Sequence, residues 1–269
     1  MLQNPLLYLS YGFGVKALVS AILTGLTCSA VGSYVVLRKM SFAGAGLAHV
    51  ALAGVSFGIF AGINPTLTAL LFTLLSSVLI WFFQLKRGLH FDATMGALFA
   101  TSVALAVIFL SLSGAYGSSA LAYLFGSPLS ATDLDLILLG VTAIAVFIFY
   151  LVFWREIYLI TFSQEIAKAS GYKVELITFL MSLLIAFVVT FSLKAVGALL
   201  VFSLLVMPAA SAFRLARGYF KFFALTVLFG FLSSALGILV SFALDAPSGA
   251  TITIISFLIF LFTYMVAAE

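Results

Sequence analysis

Charged side chains and cysteine are scarce in this chain of 269 residues. Twelve Lys and Arg and eight Asp and Glu make up only 7% of the sequence, whereas a soluble domain typically carries about 25% charged residues. So few charges cannot cover the surface of a water-soluble globule, which excludes a soluble enzyme and a disordered chain. The single cysteine, Cys28, excludes an intrachain disulfide and a cysteine-based metal cluster.

Long apolar runs account for most of the remaining sequence. Hydrophobic residues make up 65% of the chain, and a helix needs about 20 apolar residues to span a bilayer. We therefore predict an all-α polytopic membrane protein that forms one transmembrane domain over residues 1–269. About nine spans are predicted, at residues 15–37, 44–61, 67–83, 93–112, 134–154, 176–191, 196–213, 222–244 and 252–266.

The few cations are distributed unevenly among the loops. One set of alternating loops holds Arg38, Lys39, Lys86, Arg87, Arg155, Lys168, Lys173, Arg214, Arg217 and Lys221. The opposite set, with the turn-like loops 62–65, 192–196 and 245–249, accounts for only Lys16 and Lys194. Because Lys-rich and Arg-rich loops stay in the cytoplasm, we predict that the N-terminus lies outside and the C-terminus inside.

Motifs for nucleotide binding and for hydrolysis are missing. The sequence has no P-loop and no H-E-x-x-H motif, and no basic stripe indicates nucleic-acid binding. Most carboxylates fall at span ends or in loops, as Asp133, Asp135, Asp245, Glu156, Glu165 and Glu175 do. Proton-coupled carriers usually place carboxylates within spans, so proton coupling is disfavoured, and any ATPase that drives transport must be a separate chain.

His49 is the only ionisable residue in the second predicted span. Intramembrane ionisable side chains usually face the bundle interior or a wet cavity, and imidazole is a good ligand for transition metals. The alternative is a histidine that hydrogen-bonds to a neighbouring helix. The other histidine, His90, lies in a charged inner loop before Asp92, a candidate N-cap, so a surface role is favoured there.

Small and soft side chains mark two further spans. Gly54, Gly58 and Gly62 recur every four residues, which is typical of close helix packing. In the seventh span Ser203 and Met207 share a face with Ser211, beside the helix-loosening Pro208. Met207 and Ser203 are weaker candidates for metal contact, since most methionines in membrane helices are packing residues.

The longest inner loop, residues 155–175, contains a predicted short helix. Ser163 followed by Glu165 is typical of a helix start, and Gly171 can end the helix. A short charged helix at the inner face is either an interfacial anchor or a structure that docks into a partner protein.

Four stretches in order along the chain carry a family resemblance. They are residues 38–49, which end in His49, the loop 163–171, and residues 196–210 and 245–252. Together they resemble the bacterial ABC-type zinc/manganese permease family. The resemblance covers nearly the whole chain.

The resemblance implies a permease subunit, not an enzyme, in the bacterial plasma (inner) membrane, with a fold similar to that of cobalamin and siderophore importers. It implies a permease homodimer, a cytoplasmic ABC ATPase that binds ATP, and an extracytoplasmic metal-binding protein. No cofactor is implied; the zinc or manganese ion is cargo, and His49 lies on its path. The coupling helix would use Ser163, Gln164, Glu165, Ala167, Lys168 and Gly171.

One departure from the family pattern bears on the metal. Many members have Asp four residues before the histidine, where this chain has Ala45. A hard oxygen ligand suits Mn²⁺, whereas imidazole alone favours Zn²⁺, so zinc is favoured over manganese. Two alternatives stay open: an ABC permease for a metal chelate such as a siderophore or cobalamin, and a secondary carrier that needs no ATPase.

Overall fold

The computed structural model describes residues 11–87, 91–114, 126 and 131–266, and these residues form α-helices joined by short connections. Nine of the described helices are long and apolar enough to cross a membrane, which confirms the all-α polytopic prediction. They are α1 (Gly12–Leu37), α2 (Phe42–Ala61), α3 (Pro65–Arg87), α4 (Phe91–Leu112), α5 (Asp133–Val152), α8 (Val174–Val196), α9 (Ala198–Leu215), α10 (Tyr219–Leu244) and α11 (Ser248–Val266).

Two short helices lie between α5 and α8, in the region predicted as one inner loop. They are α6 (Trp154–Phe162) and α7 (Gln164–Ala169). The prediction placed only α7 there. Phe153 separates α5 from α6. Helix α5 therefore ends at Val152, two residues before the end predicted for the fifth span.

The predicted outer loop at residues 192–196 is wrong. Helix α8 continues to Val196, and only Gly197, with φ 85°, separates it from α9. Lys194 therefore lies in the last turn of a helix, where a cation is favourable beside the helix dipole. From the sequence, Lys194 indicated a loop because an unpaired lysine is unfavourable in a membrane span. The sequence did not show that Asp135 is its ion-pair partner.

Helix α1 is the centre of the bundle and packs against α5, α8, α9 and α10. Its buried positions are mostly Gly, Ala, Ser and Thr, and small residues let helices in a membrane approach closely. Interhelical hydrogen bonds add to this packing: the Tyr150 hydroxyl donates to the Ala30 carbonyl at 2.9 Å, and the hydroxyls of Thr73 and Thr190 lie 2.7 Å apart.

Two glycines of α2 confirm the predicted close helix packing, and the helix that approaches them is α3. A Cβ placed on Gly54 would lie 2.6 Å from the Ala69 Cα, and one on Gly58 would lie 2.8 Å from the Pro65 Cα. Both distances are shorter than a carbon–carbon contact allows. Gly62, the third glycine of the series, has a different role, since it ends α2 in the left-handed conformation with φ 69° and has open space around it.

This packing predicts opposite effects for two glycine substitutions. Gly54→Ala should lower the free energy of unfolding by about 1–2 kcal/mol, because the α3 backbone must move away from the new methyl group. Gly140→Ala in α5 should be neutral or stabilising by up to about 1 kcal/mol, since a Cβ there meets nothing within 4 Å. Thermal unfolding of both variants in detergent tests the difference, and equal stabilities would contradict the packing at Gly54.

Candidate metal path and coupling helix

His49 lies two turns into α2, with its imidazole half-buried. Its Nδ1 is 2.9 Å from the Ala45 carbonyl oxygen, and its ring meets the edge of Phe99 on α4 with the ring centroids 4.4 Å apart. A carbonyl only accepts, so Nδ1 is the donor, and in the neutral imidazole Nε2 is then the nitrogen with the available lone pair. Histidines that bind metals usually have their other nitrogen fixed in this way.

Ser203 and Met207 contact each other within α9 rather than His49. The Ser203 hydroxyl donates to the Met207 Sδ at 3.4 Å, and the Ser211 hydroxyl donates to the Met207 carbonyl at 2.9 Å. The predicted shared face is therefore present. Pro208 lies inside α9 and, lacking an amide hydrogen, leaves the Leu204 carbonyl without its usual helical partner.

Helices α2 and α9 are direct neighbours. A Cβ on Gly44 would lie 2.8 Å from Leu205 Cδ1 and 3.4 Å from Phe202 Cδ2. The imidazole and the thioether are therefore on adjacent helices, although they are not bonded to each other in this conformation. Within the described ranges, no three His, Cys, Asp or Glu side chains come together in a group that could hold a metal ion. His90 lies outside the described residues, so its predicted surface role is not addressed.

Cys28 is fully buried in α1, with its Sγ 3.7 Å from the Ser192 hydroxyl on α8. The thiol is therefore enclosed among small residues. The interpretation of a small buried thiol is confirmed.

Two ion pairs stand at the end of the bundle that we predict to be external. The Lys194 Nζ lies 2.8 Å from Asp135 Oδ1, and the Lys16 Nζ lies 2.6 Å from Asp133 Oδ1. The other oxygen of Asp135 accepts from the Thr132 amide at 3.0 Å and from its hydroxyl at 2.7 Å, which completes a capping box at the start of α5. These pairs fasten α5 to α8 and to α1.

The two ion pairs differ in burial, and therefore in how much each should stabilise the fold. The Asp135 side chain is 5% exposed, whereas that of Asp133 is 77% exposed. Removing one partner of a buried pair leaves an uncompensated charge, while an exposed pair contributes little.

Lys194→Met should therefore lower the free energy of unfolding by about 2 kcal/mol, a value reduced from that of a fully buried pair because the lysine is itself part-exposed. Lys16→Met should lower it by less than about 1 kcal/mol. Unfolding in detergent compares the two variants. A double variant with Asp135→Asn should recover part of the loss from Lys194→Met, and a larger effect at Lys16 would reverse the proposed ranking.

Helix α7 is capped at both ends as the sequence predicts. The Ser163 hydroxyl accepts from the Ile166 amide at 3.4 Å. At the other end Gly171 has φ 84°, its amide donates to the Lys168 carbonyl, and the Tyr172 amide donates to the Ala167 carbonyl. This pair of bonds is the Schellman motif, and it fixes the length of the helix.

The two faces of α7 differ sharply in exposure. Ala167 is fully buried, whereas Glu165, Ile166 and Lys168 point outward. Lys168 pairs with Glu175 at the start of α8 at 3.3 Å, and both side chains are exposed. Helix α7 therefore sits on the bundle through Ala167 and presents a charged and partly apolar outer face, which is suited to contact with another protein.

Sequence reasoning missed the two ion pairs and the contact of Phe99 with His49. The ion pairs had a signal: Asp133 and Asp135 lie at the start of the fifth predicted span, which the predicted orientation places at the outer end with Lys16 and Lys194, and ionisable residues in membrane helices tend to pair. Nothing in the sequence identified Phe99 among the 29 phenylalanines. Helix α6 was hidden because its charges made it look like part of a loop.

This architecture is that of a multi-pass membrane protein. A model of the ABC 3 transport family matches residues 10–267, so the chain belongs to that family. The chain is therefore a transport component, and this match together with the relatives below confirms its resemblance to zinc and manganese ABC permeases.

Relatives named as manganese permeases and as zinc permeases reach the same sequence identity with this chain. It is 31% identical to the manganese import system permease protein ScaB of Streptococcus gordonii over 96% of this chain and 93% of that protein. It is also 31% identical to the high-affinity zinc uptake system membrane protein ZnuB of Haemophilus influenzae, over 91% of this chain and 94% of that protein. The identities therefore do not separate the two metals.

Solved structures confirm the fold. The structure of PsaBC from Streptococcus pneumoniae in complex with Fab matches with a TM-score of 0.83 and 27% identity, over 94% of this chain and 91% of that chain. An inward-facing metal-chelate type ABC transporter matches with a TM-score of 0.77 and 20% identity. The second likeness concerns the fold alone.

Proposed function

We propose that this chain is the membrane-spanning subunit of an ATP-driven bacterial importer for a divalent transition metal, and that its metal is zinc. His49 is the observation on which the proposal depends. Its Nδ1 lies 2.9 Å from the Ala45 carbonyl within a membrane-spanning helix, so Nε2 is the nitrogen through which the neutral ring would bind a metal. A neutral imidazole held in this way can bind a passing dication and release it again, as conduction requires.

The choice of zinc depends on position 45. The residue one turn before His49 is Ala45, with a buried methyl side chain, where many family members carry a carboxylate. Nitrogen ligands favour Zn²⁺, whereas Mn²⁺ prefers oxygen. Met207 and Ser203 on the adjacent helix are the candidates that would complete the coordination when the helices move.

The proposed orientation places the N-terminus outside and the C-terminus in the cytoplasm. At the end of the bundle with few cations, Lys16 and Lys194 are both paired with aspartates. The excess of Lys and Arg therefore lies on the opposite face of the membrane. Helix α7 lies on that richer face. We propose that its outer surface, with Gln164, Glu165 and Lys168, docks into a cytoplasmic ATPase while Ala167 transmits movement to the bundle.

Two further partners follow from this function. A second copy of the chain would form the other half of the path, and an extracytoplasmic protein would deliver the metal to the outer end. The most direct test is ATP hydrolysis by the purified complex with its ATPase and delivery protein, in the presence of Zn²⁺, Mn²⁺ or Fe²⁺. Zinc should stimulate hydrolysis most, and equal rates with and without metal would contradict the proposal.

Restoring a carboxylate at position 45 should change the metal preference. We expect Ala45→Asp to raise manganese uptake relative to zinc uptake by about tenfold, because an oxygen ligand then lies one helical turn from the imidazole. The measurement is competitive uptake of the two ions by the reconstituted transporter. Ala45→Asn is the matched control, since it has the same shape without the charge. An unchanged ratio in Ala45→Asp would remove position 45 from the metal path.

A further inference from the structure

The half-buried imidazole of His49 is covered on one side by a pair of phenyl rings. The ring of Phe99 on α4 has its centroid 4.4 Å from that of His49 and 5.5 Å from that of Phe42, the first residue of α2. Phe42 and His49 lie about two turns apart on one face of α2. The Phe99 ring therefore bridges the space between the first turn of α2 and the imidazole.

Helices α2 and α4 run in the same direction. Phe99 meets the first half of α2, whereas Phe109, later in α4, meets Phe57 near the end of α2 with the ring centroids 5.2 Å apart. Both helices therefore begin at the end of the bundle that we propose to be cytoplasmic. Because side chains in a helix lean toward its N-terminus, the rings of His49 and Phe99 both lean toward that end.

An open cleft reaches this pair of rings from the same end. It lies where the turn between α1 and α2 meets α4 and α9, and its lining residues are Val36, Lys39, Ser41, Phe42, Gly96 and Phe202. Its volume is 680 Å³, whereas an ion with six waters needs roughly 200 Å³ at about 30 Å³ per water. A hydrated dication therefore fits in the cleft. These lining residues include no carboxylate that would retain the ion there.

The residues one turn closer to the cleft are small on both helices. Gly96 precedes Phe99 on α4 and lines the cleft, and a Cβ placed on it would meet nothing within 4 Å. Ala45 precedes His49 on α2 and carries only a methyl group. Neither residue is large enough to separate the imidazole from the cleft. That separation therefore depends on the ring of Phe99 and on Phe42 beside it.

We propose that Phe99, supported by Phe42, is the inner gate of the metal path and closes His49 off from the cytoplasmic cleft in this conformation. A phenyl ring has no lone pair to offer a metal ion, and an apolar constriction excludes hydrated ions. The open space beside Gly96 gives the ring room to turn aside when the helices move. The gate rests on the proposed path through His49 and on the proposed orientation, and each copy in the proposed homodimer would contribute one.

The accessibility of position 49 from each side of the membrane tests the gate. Cys28 is the only native cysteine, so Cys28→Ala combined with His49→Cys leaves one thiol, on the proposed path. The full-length chain is assembled with its ATPase in vesicles without ATP and treated with a cationic, membrane-impermeant methanethiosulfonate reagent, and the modified fraction is followed by mass spectrometry.

Phe99→Ala should raise the rate of modification from the cytoplasmic side by at least about tenfold, because the apolar constriction is lost. The rate from the outer side should not change. Phe99→Leu restores a large apolar side chain and should bring the cytoplasmic rate back to within about threefold of the parent value.

Phe109→Ala is the matched control. It removes a phenyl ring from the same helix pair, where the ring packs on Phe57 and Phe60, and it should leave modification of the introduced thiol unchanged. The native thiol of Cys28 is fully buried and should stay unmodified in a chain that carries Phe99→Ala alone. Equal rates in Phe99→Ala and Phe109→Ala, a rise from the outer side, or modification of Cys28 at the same rate would overturn the gate. None of these readouts involves zinc uptake, so the gate and the proposed function can fail separately.

Discussion

His49→Ala is expected to reduce zinc uptake at limiting metal by at least about tenfold. The substitution removes the only imidazole of α2, and its Nε2 is the lone pair that the Ala45 carbonyl orients by holding Nδ1. The helix itself should persist, because alanine is a strong helix former and the side chain is only half-buried. Uptake is measured in cells that lack other zinc importers.

Two controls separate a role on the metal path from a structural one. The amount of transporter that co-purifies with its ATPase should be the same for His49→Ala and the parent chain. His90→Ala removes the only other histidine and should leave uptake unchanged. Normal uptake by His49→Ala at limiting metal would remove His49 from the path.

Changes in α7 should uncouple ATP hydrolysis from transport. Glu165→Ala removes a charge from the exposed face, and Ala167→Leu inserts a larger side chain where Ala167 is fully buried against the bundle. Coupling free energies of about 1–3 kcal/mol correspond to changes of about 5–150-fold. We expect transport per ATP hydrolysed to fall about tenfold in each variant, measured as uptake and hydrolysis on the same vesicles.

The matched control for coupling is Glu156→Ala. Glu156 lies in the first turn of α6, the helix that precedes α7, so the loss of charge is identical but the helix that we propose to dock is untouched. Its ratio of transport to hydrolysis should equal that of the parent chain. If Glu165→Ala and Ala167→Leu also keep the parent ratio, α7 is not the coupling element.

Much of the fold could be predicted from the sequence, because each helix that spans a bilayer needs about 20 mostly apolar residues. Apolar runs gave all nine long helices, and strong local signals at Ser163 and Gly171 gave both ends of α7. The boundary at residues 192–196 failed for a non-local reason. Lys194 lies in the last turn of a helix, where its charge is stabilised by the helix dipole and by Asp135, 59 residues earlier.

Less of the candidate site followed from the sequence. The position of His49 within a span was evident, since a lone ionisable group among apolar residues stands out. Its environment was not, because the contact with Phe99 depends on how α2 and α4 pack.

Zinc uptake into proteoliposomes tests the central claim most directly. The vesicles contain this chain with its ATPase and receive metal from the delivery protein, with ATP and ion gradients supplied separately. The account predicts that zinc accumulates only with hydrolysable ATP and that His49→Ala abolishes most of this accumulation. Accumulation driven by an ion gradient alone, or of an intact metal chelate with no dependence on His49, would contradict it.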